Sequence, residues 1–408
     1  LNVDPAQLTV LGDSRRPMVT FRAEKSGNQL SLVAVRDRSY YGRGSGNASL
    51  GAALESLVEG GAGEMPEILD ELDGSGNAGN ARQLEPNVNG SLQAGFATAG
   101  LFNRSVMGRI GQVWAGGFGA SGFTGLSTGD GSAEEGIWAQ GFGGEVRQES
   151  EGGQPGYRAE VWGGAFGYDR RLFAHLMAGF GGGYARNRIA GLDDLSRNDV
   201  DSYQAHVYGS LARDACRLDA ILSFAYHAYK ASRRIAFGGI DRTAKSDYAG
   251  QQYSLFVEGG YAFEGAGLVV TPLASLQVMR LHINGYAETG AGAADLTVAA
   301  QDYNLFESGL GARLAYPVLQ EGLRITPELH AKWLYDFAGS RQQATSRFSG
   351  SGVSFSTQGI EPAQSSVNVG AKLSLETQCN MTFSLNYDLE KKAGFTGHAF
   401  LVHVRYAF

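Results

Sequence analysis

Residues 400–408 read FLVHVRYAF, so that Phe400, Val402, Val404, Tyr406 and Phe408 alternate with Leu401, His403, Arg405 and Ala407. Successive strand side chains point to opposite faces, and this spacing sets an aromatic and β-branched stripe against His403 and Arg405. The alternation returns in residues 323–337, where Leu323, Ile325, Pro327, Leu329, Ala331, Trp333, Tyr335 and Phe337 oppose Arg324, Thr326, Glu328, His330, Lys332, Leu334 and Asp336. It returns again where Met381, Phe383, Leu385, Tyr387 and Leu389 oppose Thr382, Ser384, Asn386, Asp388 and Glu390. A soluble sandwich would show polar outer faces and shorter strands. The pattern predicts a closed antiparallel sheet whose apolar side faces lipid.

Working outward, strands are expected at about 137–148, 156–169, 171–187, 199–212, 216–231, 248–263, 267–284, 300–316, 321–338, 363–377, 380–391 and 396–408, twelve in all. Connections near Arg170, Asp214, Gly265, Leu319 and Gln378 read as tight, and those after strands three, five, seven and nine as long and polar. Tight turns on one rim and long loops on the other suit an outer-membrane barrel with an even strand count.

Composition agrees. With 60 Gly, 11% aromatic and 43% apolar residues, the 408-residue chain is too aromatic for disorder and has no collagen-like triplet. No stretch approaches the length of a membrane-spanning helix, and the mean hydropathy is −0.18. A net charge of −7 argues against a nucleic-acid partner. Metal-ligand spacing, a Walker loop and a dinucleotide fingerprint are all missing; GFGGG at 179–183 falls within a predicted strand, and no cofactor is expected.

Ahead of the strands the pattern is different. Residues 1–45 contain the short runs LTVL, MVTFRAE and QLSLVAVR, read as the end of a β-solenoid whose other rungs lie upstream. Gly12, Asp13 and Ser14 invite comparison with a serine-esterase block, but the next histidine is His175, and a polar turn accounts for them better. Residues 46–86 form a junction with short helices at Ser49–Val58 and Met65–Leu72. A longer helix is expected from Asn87 to Ile110, about 35 Å of rise and close to the height of a membrane core. Its middle, with Ala94, Gly95, Ala97, Ala99 and Gly100, is lean enough for a narrow space. Residues 112–133 read as a linker, so that 87–133 is helix and linker and 134–408 the barrel.

This order, with IWAQGFGG (137–144) opening the barrel and VRYAF (404–408) closing it, resembles the C-terminal part of type Va autotransporters, secretion proteins of Gram-negative bacteria. The resemblance implies a 12-stranded barrel with a helix in its pore, preceded by a solenoid tail. It implies a translocator and outer-membrane anchor without chemistry of its own, exporting and displaying an N-terminal passenger at the cell surface. Its implied partners are outer-membrane lipid, the barrel assembly machinery, periplasmic chaperones and the passenger. Leu1 in place of Met agrees with a removed signal peptide and more sequence upstream. The terminal Val404, Tyr406 and Phe408 resemble the insertion signal of such barrels. Arg104 and Arg109, in the last turns of the helix, are expected to pair with the lumenal carboxylates Glu258, Glu307, Glu328, Asp336 and Asp388. Some members cut themselves at an Asn pair in this helix; here a lone Asn103 precedes Arg104, and cleavage is not expected.

Two other classes compete. A pore or adhesin would use its long loops and would need neither the lean helix nor the tail. A membrane-embedded hydrolase needs a Ser beside a His, and no Ser partner is evident for His206, His330 or His403. Cys216 and Cys379, near one rim but on nearly opposite walls, are expected to remain free thiols. Deleting Phe408 is expected to reduce the heat-modifiable barrel in outer-membrane fractions; unchanged levels would remove the insertion-signal reading.

Overall fold

The computed structural model describes residues 19–26, 29–37, 39–60, 64–115, 135–320, 323–339, 341–377 and 381–407. The first 18 residues, most of the linker, Cys379 and Phe408 lie outside this set. Twelve strands form the barrel: Glu135–Gln148, Tyr157–Phe173, Leu176–Gly191, Ser196–Arg213, Cys216–Phe237, Ile240–Tyr261, Leu268–Ile283, Gln301–Ala315, Leu323–Asp336, Ser365–Glu376, Met381–Lys392 and Phe395–Ala407. They are numbered one to twelve below. Phe263–Gly265 and Val318–Gln320 continue the sheet at two turns. Neighbours pair antiparallel throughout, and the sheet closes through strand twelve on strand one, with Phe400 opposite Gly143 and Tyr406 opposite Ile137. No described helix is long and apolar enough to cross a membrane; the strands make the crossing.

The predicted faces hold. Ile137, Phe166, Phe180, Leu222, Leu310, Leu329, Leu385 and Phe400 point outward, each more than half exposed, as a lipid-facing belt requires. Trp138, Gln140, Ser202, His206, Glu258 and Asp388 point inward and are buried.

Three boundaries differ from the sequence reading. Strand two runs to Phe173, so its turn lies at 174–175 rather than near Arg170. The expected long loops after strands three and five are instead strand, turning at 192–195 and 238–239. The polar residues that suggested loops face inward under a cover: Arg233, 5% exposed, pairs with Glu288, and Ser246 is also buried. The connections after strands seven and nine are long as expected, and they build a small sheet from Tyr286–Ala287, Leu296–Val298, Gln343–Phe348 and Ser354–Gln358.

That cover is a cap over one mouth. Helices α1 (Tyr40–Ser45), α2 (Ala48–Gly60) and α3 (Met65–Gly74) bury Tyr41, Leu50, Leu54, Ile68, Leu69 and Leu72 against Ile235 and Phe237 of strand five and Leu296, Val298, Phe348 and Phe355 of the loop sheet. The Asn47 side chain caps α2 by accepting from the amides of Ser49 and Leu50, both at 3.1 Å. Pro66 sits in the first turn of α3, where a missing amide costs nothing. Ahead of the cap, Val19–Ser26 and Gln29–Arg36 pair antiparallel as one hairpin, whereas stacked solenoid rungs would run parallel.

Below the cap, burial pushes the Glu85 carboxyl up to about 7, against the opposing pull of Asn47, Arg82, Gln154 and Thr357. The folded state therefore holds this proton more tightly than the unfolded chain, with its ordinary value of 4.5. The sign follows: the contribution of Glu85 to the folded cap is greatest below its unfolded value and is lost as pH rises from about 4.5 through about 7, by on the order of 2–3 kcal/mol. Residues 40–90 should resist protease better at about pH 5 than at about pH 8. Glu85→Gln should flatten that dependence, and an unchanged profile would remove Glu85 as its source.

Candidate functional site

Helix α4 (Ser91–Ala115) lies in the lumen, starting four residues later and ending five later than the predicted Asn87–Ile110. Its two sides meet different walls. Leu101, Phe102, Val106, Ile110 and Trp114 pack on Trp138, Phe142, Val161, Ala165, Met177, Tyr208, Ile221 and Leu401. Phe102 meets Phe142 edge to face at 5.1 Å. Strand three accommodates Phe102 through Gly183, where a β-carbon would overlap the ring. The lean middle has two causes: a β-carbon at Gly95 would press on Gln252 and Leu281 at 3.0 and 3.1 Å, while Gly100 faces open space.

Polar contacts peg the helix along its length. Near the cap, Asn198 donates to Ser91 at 2.7 Å and Asn187 to Thr98 at 2.9 Å. At the far end the Trp114 indole donates to Ser210 at 2.7 Å. Between them Arg109 reaches Asp169 of strand two through two hydrogen bonds, with both side chains almost fully buried. Tyr208 donates to the same carboxylate at 2.9 Å and accepts from Trp138 at 2.6 Å. Trp138 in turn stacks between His206 and His403, with ring centres 6.1 Å away on each side.

The opposite side of α4 is wet. Cavities of about 150 and 210 Å³ run along Gly100, Arg104, Gly108 and Gly111, each with room for water beside many polar groups. Their far wall is a charge ladder. Glu258 pairs with Lys332 and, at 3.4 Å, with Arg313; Arg313 reaches Glu328 at 3.2 Å, and His330 reaches Asp388 at 2.9 Å.

Of the carboxylates expected to hold the helix, Glu258, Glu328 and Asp388 thus bond side chains of the barrel wall, from the adjacent strand for Glu328 and from two or three strands away for Glu258 and Asp388, because these long side chains reach across the lumenal face. Glu307 and Asp336 line the same cavity as Arg104 without an ion pair to it among the described residues. The helix pairs instead with Glu390, 3.5 Å from Arg104, and with Asp169. Asp169 falls within the strand expected at 156–169, but alternation alone does not single it out as the partner of Arg109. Val404 points outward and Tyr406 stands opposite Met381 and Ile137. One Ser–His contact escaped the sequence reading: Ser202 and His227 lie 2.8 Å apart, with Gln252 at 3.1 Å on the other ring nitrogen. Both are fully buried, with His227 beneath Gly95, and among the described residues no carboxylate bonds either of them.

The family model described as the autotransporter β-domain matches residues 137–388. Outer membrane protein A of Rickettsia conorii is 26% identical over 269 residues, 64% of this chain and 13% of that protein. Outer membrane protein B of the same organism is 25% identical over 283 residues, 67% of this chain and 17% of that protein. The chain therefore spans less than a fifth of the length of these curated relatives. Among solved structures, the translocator domain of the autotransporter NalP from Neisseria meningitidis superposes with a TM-score of 0.56 at 16% identity, covering 77% of this chain and 98% of that one. That likeness concerns the fold.

Removing one partner of a buried ion pair leaves the other uncompensated. Arg109→Met is expected to lower stability by about 3–5 kcal/mol, and Arg109→Met with Asp169→Leu to recover most of it. Thermal loss of the heat-modifiable form measures both; equal losses would mean that Asp169 does not answer Arg109.

Proposed function

The chain belongs to the autotransporter β-domain family and is an outer-membrane translocator barrel, and from that premise we propose what its plugged lumen does. The barrel exports a passenger preceding it in sequence and holds it at the cell surface, and α4 is the stretch of exported chain that stays in the pore. The observation behind this reading is the pegged helix: α4 runs from the capped mouth to the opposite rim, fixed by Ser91 and Thr98 at one end and by Arg109 and Trp114 at the other. Assembly by the barrel machinery with periplasmic chaperones, aided by Val404, Tyr406 and Phe408, belongs to the same proposal, as does an upstream solenoid joined through the hairpin at 19–36.

In this reading the protein performs no chemistry of its own. Asn103 stays intact, and the Ser202–His227 pair is part of the packing under the helix. A pore or adhesin is the less favoured alternative, because the long loops fold into the sheet that supports the cap. Planar-bilayer recordings test the choice. Deleting residues 91–115 should raise conductance severalfold, and Arg104→Glu with Arg109→Glu should do so in part. A barrel that conducts equally with and without the helix would overturn the plug.

A further inference from the structure

The outward face of strands one to six carries an ordered set of charges beyond its aromatic ring. The ring includes Trp162, Tyr184, Tyr203 and Tyr226, with Tyr184 opposite Tyr203 and Tyr203 opposite Tyr226. Trp162 and Tyr184 touch at 6.0 Å, and Tyr184 and Tyr203 at 5.4 Å. Such rings mark the membrane–water boundary. Toward the capped side, one row of the ladder reads Glu145, Glu160, Arg188, Asp199, Lys230 and Asp247. The next row reads Arg147, Arg158, Ala190, Arg197, Ser232 and Lys245.

The inner row is mixed in sign and partly self-paired, with Arg188 4.0 Å from Asp199. The outer row holds cations alone, in a chain whose net charge is −7. Arg147 stands directly opposite Arg158, an unfavourable like-charge pair unless an anion lies between them. Arg158 is relieved by Glu145 at 2.7 Å, but among the described residues Arg147, Arg197 and Lys245 have no carboxylate within ion-pair distance. All four cations are exposed. Ala190 and Ser232 are short, and leave recesses bounded by Arg158 and Arg197 on one side and by Arg197 and Lys245 on the other.

We propose that this row, Arg147, Arg158, Arg197 and Lys245 with the Ser232 hydroxyl, binds the phosphate groups of a phosphorylated glycolipid headgroup in the outer leaflet. Guanidinium groups match phosphate in charge and in paired hydrogen-bond geometry. Position selects a lipid over a soluble anion. Arg158 and Arg197 lie four and six residues beyond Trp162 and Tyr203, roughly 10–15 Å above the ring for strands tilted by about 40°. That is the height of a large sugar headgroup whose acyl chains lie against the exposed Phe166, Tyr203 and Val207. Glu160 and Asp247, one step nearer the hydrocarbon, repel phosphate and hold it at the basic row.

Native mass spectrometry of the full chain in detergent tests this with three probes: a phosphorylated outer-membrane glycolipid, the same lipid dephosphorylated, and inorganic phosphate. The phosphorylated lipid should bind at least about tenfold more tightly than the dephosphorylated one, and more weakly at high salt. Replacing Arg147, Arg158, Arg197 and Lys245 together by Ser should abolish that preference, while Arg280→Ser on strand seven leaves it intact. If the fourfold variant gives no heat-modifiable barrel, Arg197→Gln with Lys245→Gln should still lose about threefold or more. Equal binding by a folded variant overturns the site, and competition by inorganic phosphate at equal concentration overturns its assignment to a lipid.

Discussion

The constraint from which the rest follows is that backbone amides and carbonyls at membrane depth have no water to bond. A sheet there must close on itself, because an open edge leaves a row of unpaired polar groups, each costing several kcal/mol. Strand twelve meets this demand by pairing with strand one over thirteen residues, from Phe395 opposite Gln148 to Ala407 opposite Gly136. Closure with twelve strands creates a second demand, since the enclosed space is too wide for wall side chains alone to fill. Helix α4 packs against one side of it and leaves cavities large enough for water and lined with charge on the other.

The division of the lumen is a division of energetics. On the side of strands one to five, aromatic and aliphatic groups bury each other, and the four polar contacts that peg the helix lie among them. On the side of strands six to eleven, charges are paired across the wall, and the polar cavities moderate their interaction. A cation at Arg104 therefore contributes little beside Arg109: Arg104 is 29% exposed and 3.5 Å from Glu390, whereas Arg109 is 1% exposed and gripped by a carboxylate that Tyr208 also bonds. Position in the lumen separates two arginines that look alike in sequence.

How much of this was readable beforehand depends on what each residue faces. Strand faces were legible because one side meets hydrocarbon, which admits a narrow set of side chains; Leu329, Trp333 and Phe337 announce it without help. The far ends of strands five and six were not, because Arg233 and Ser246 are inward-facing residues covered by a cap whose own sequence lies more than 150 positions away. The partner of Arg109 was missed for a related reason. Alternation places Asp169 on the inward face of the strand expected at 156–169, but only the packed lumen shows that α4 brings Arg109 to it. Glu258 and Glu328 were placed correctly in the lumen and assigned the wrong partners, since periodicity fixes a face and is silent about which of several nearby cations is closest.

The helix itself would not stand alone. Gly95, Gly100, Gly108 and Gly111 interrupt it, each costing about 1 kcal/mol relative to alanine, on top of the general marginality of isolated helices in water. What sustains it is the wall: Phe102 seated at Gly183, Trp114 on Ser210, Arg109 on Asp169. The same residues that make the segment a poor helix former make it thin, so that it fits beside the ladder of charges without displacing it. Its helical state is a property of the occupied lumen, and outside that lumen the balance of these terms favours an extended chain.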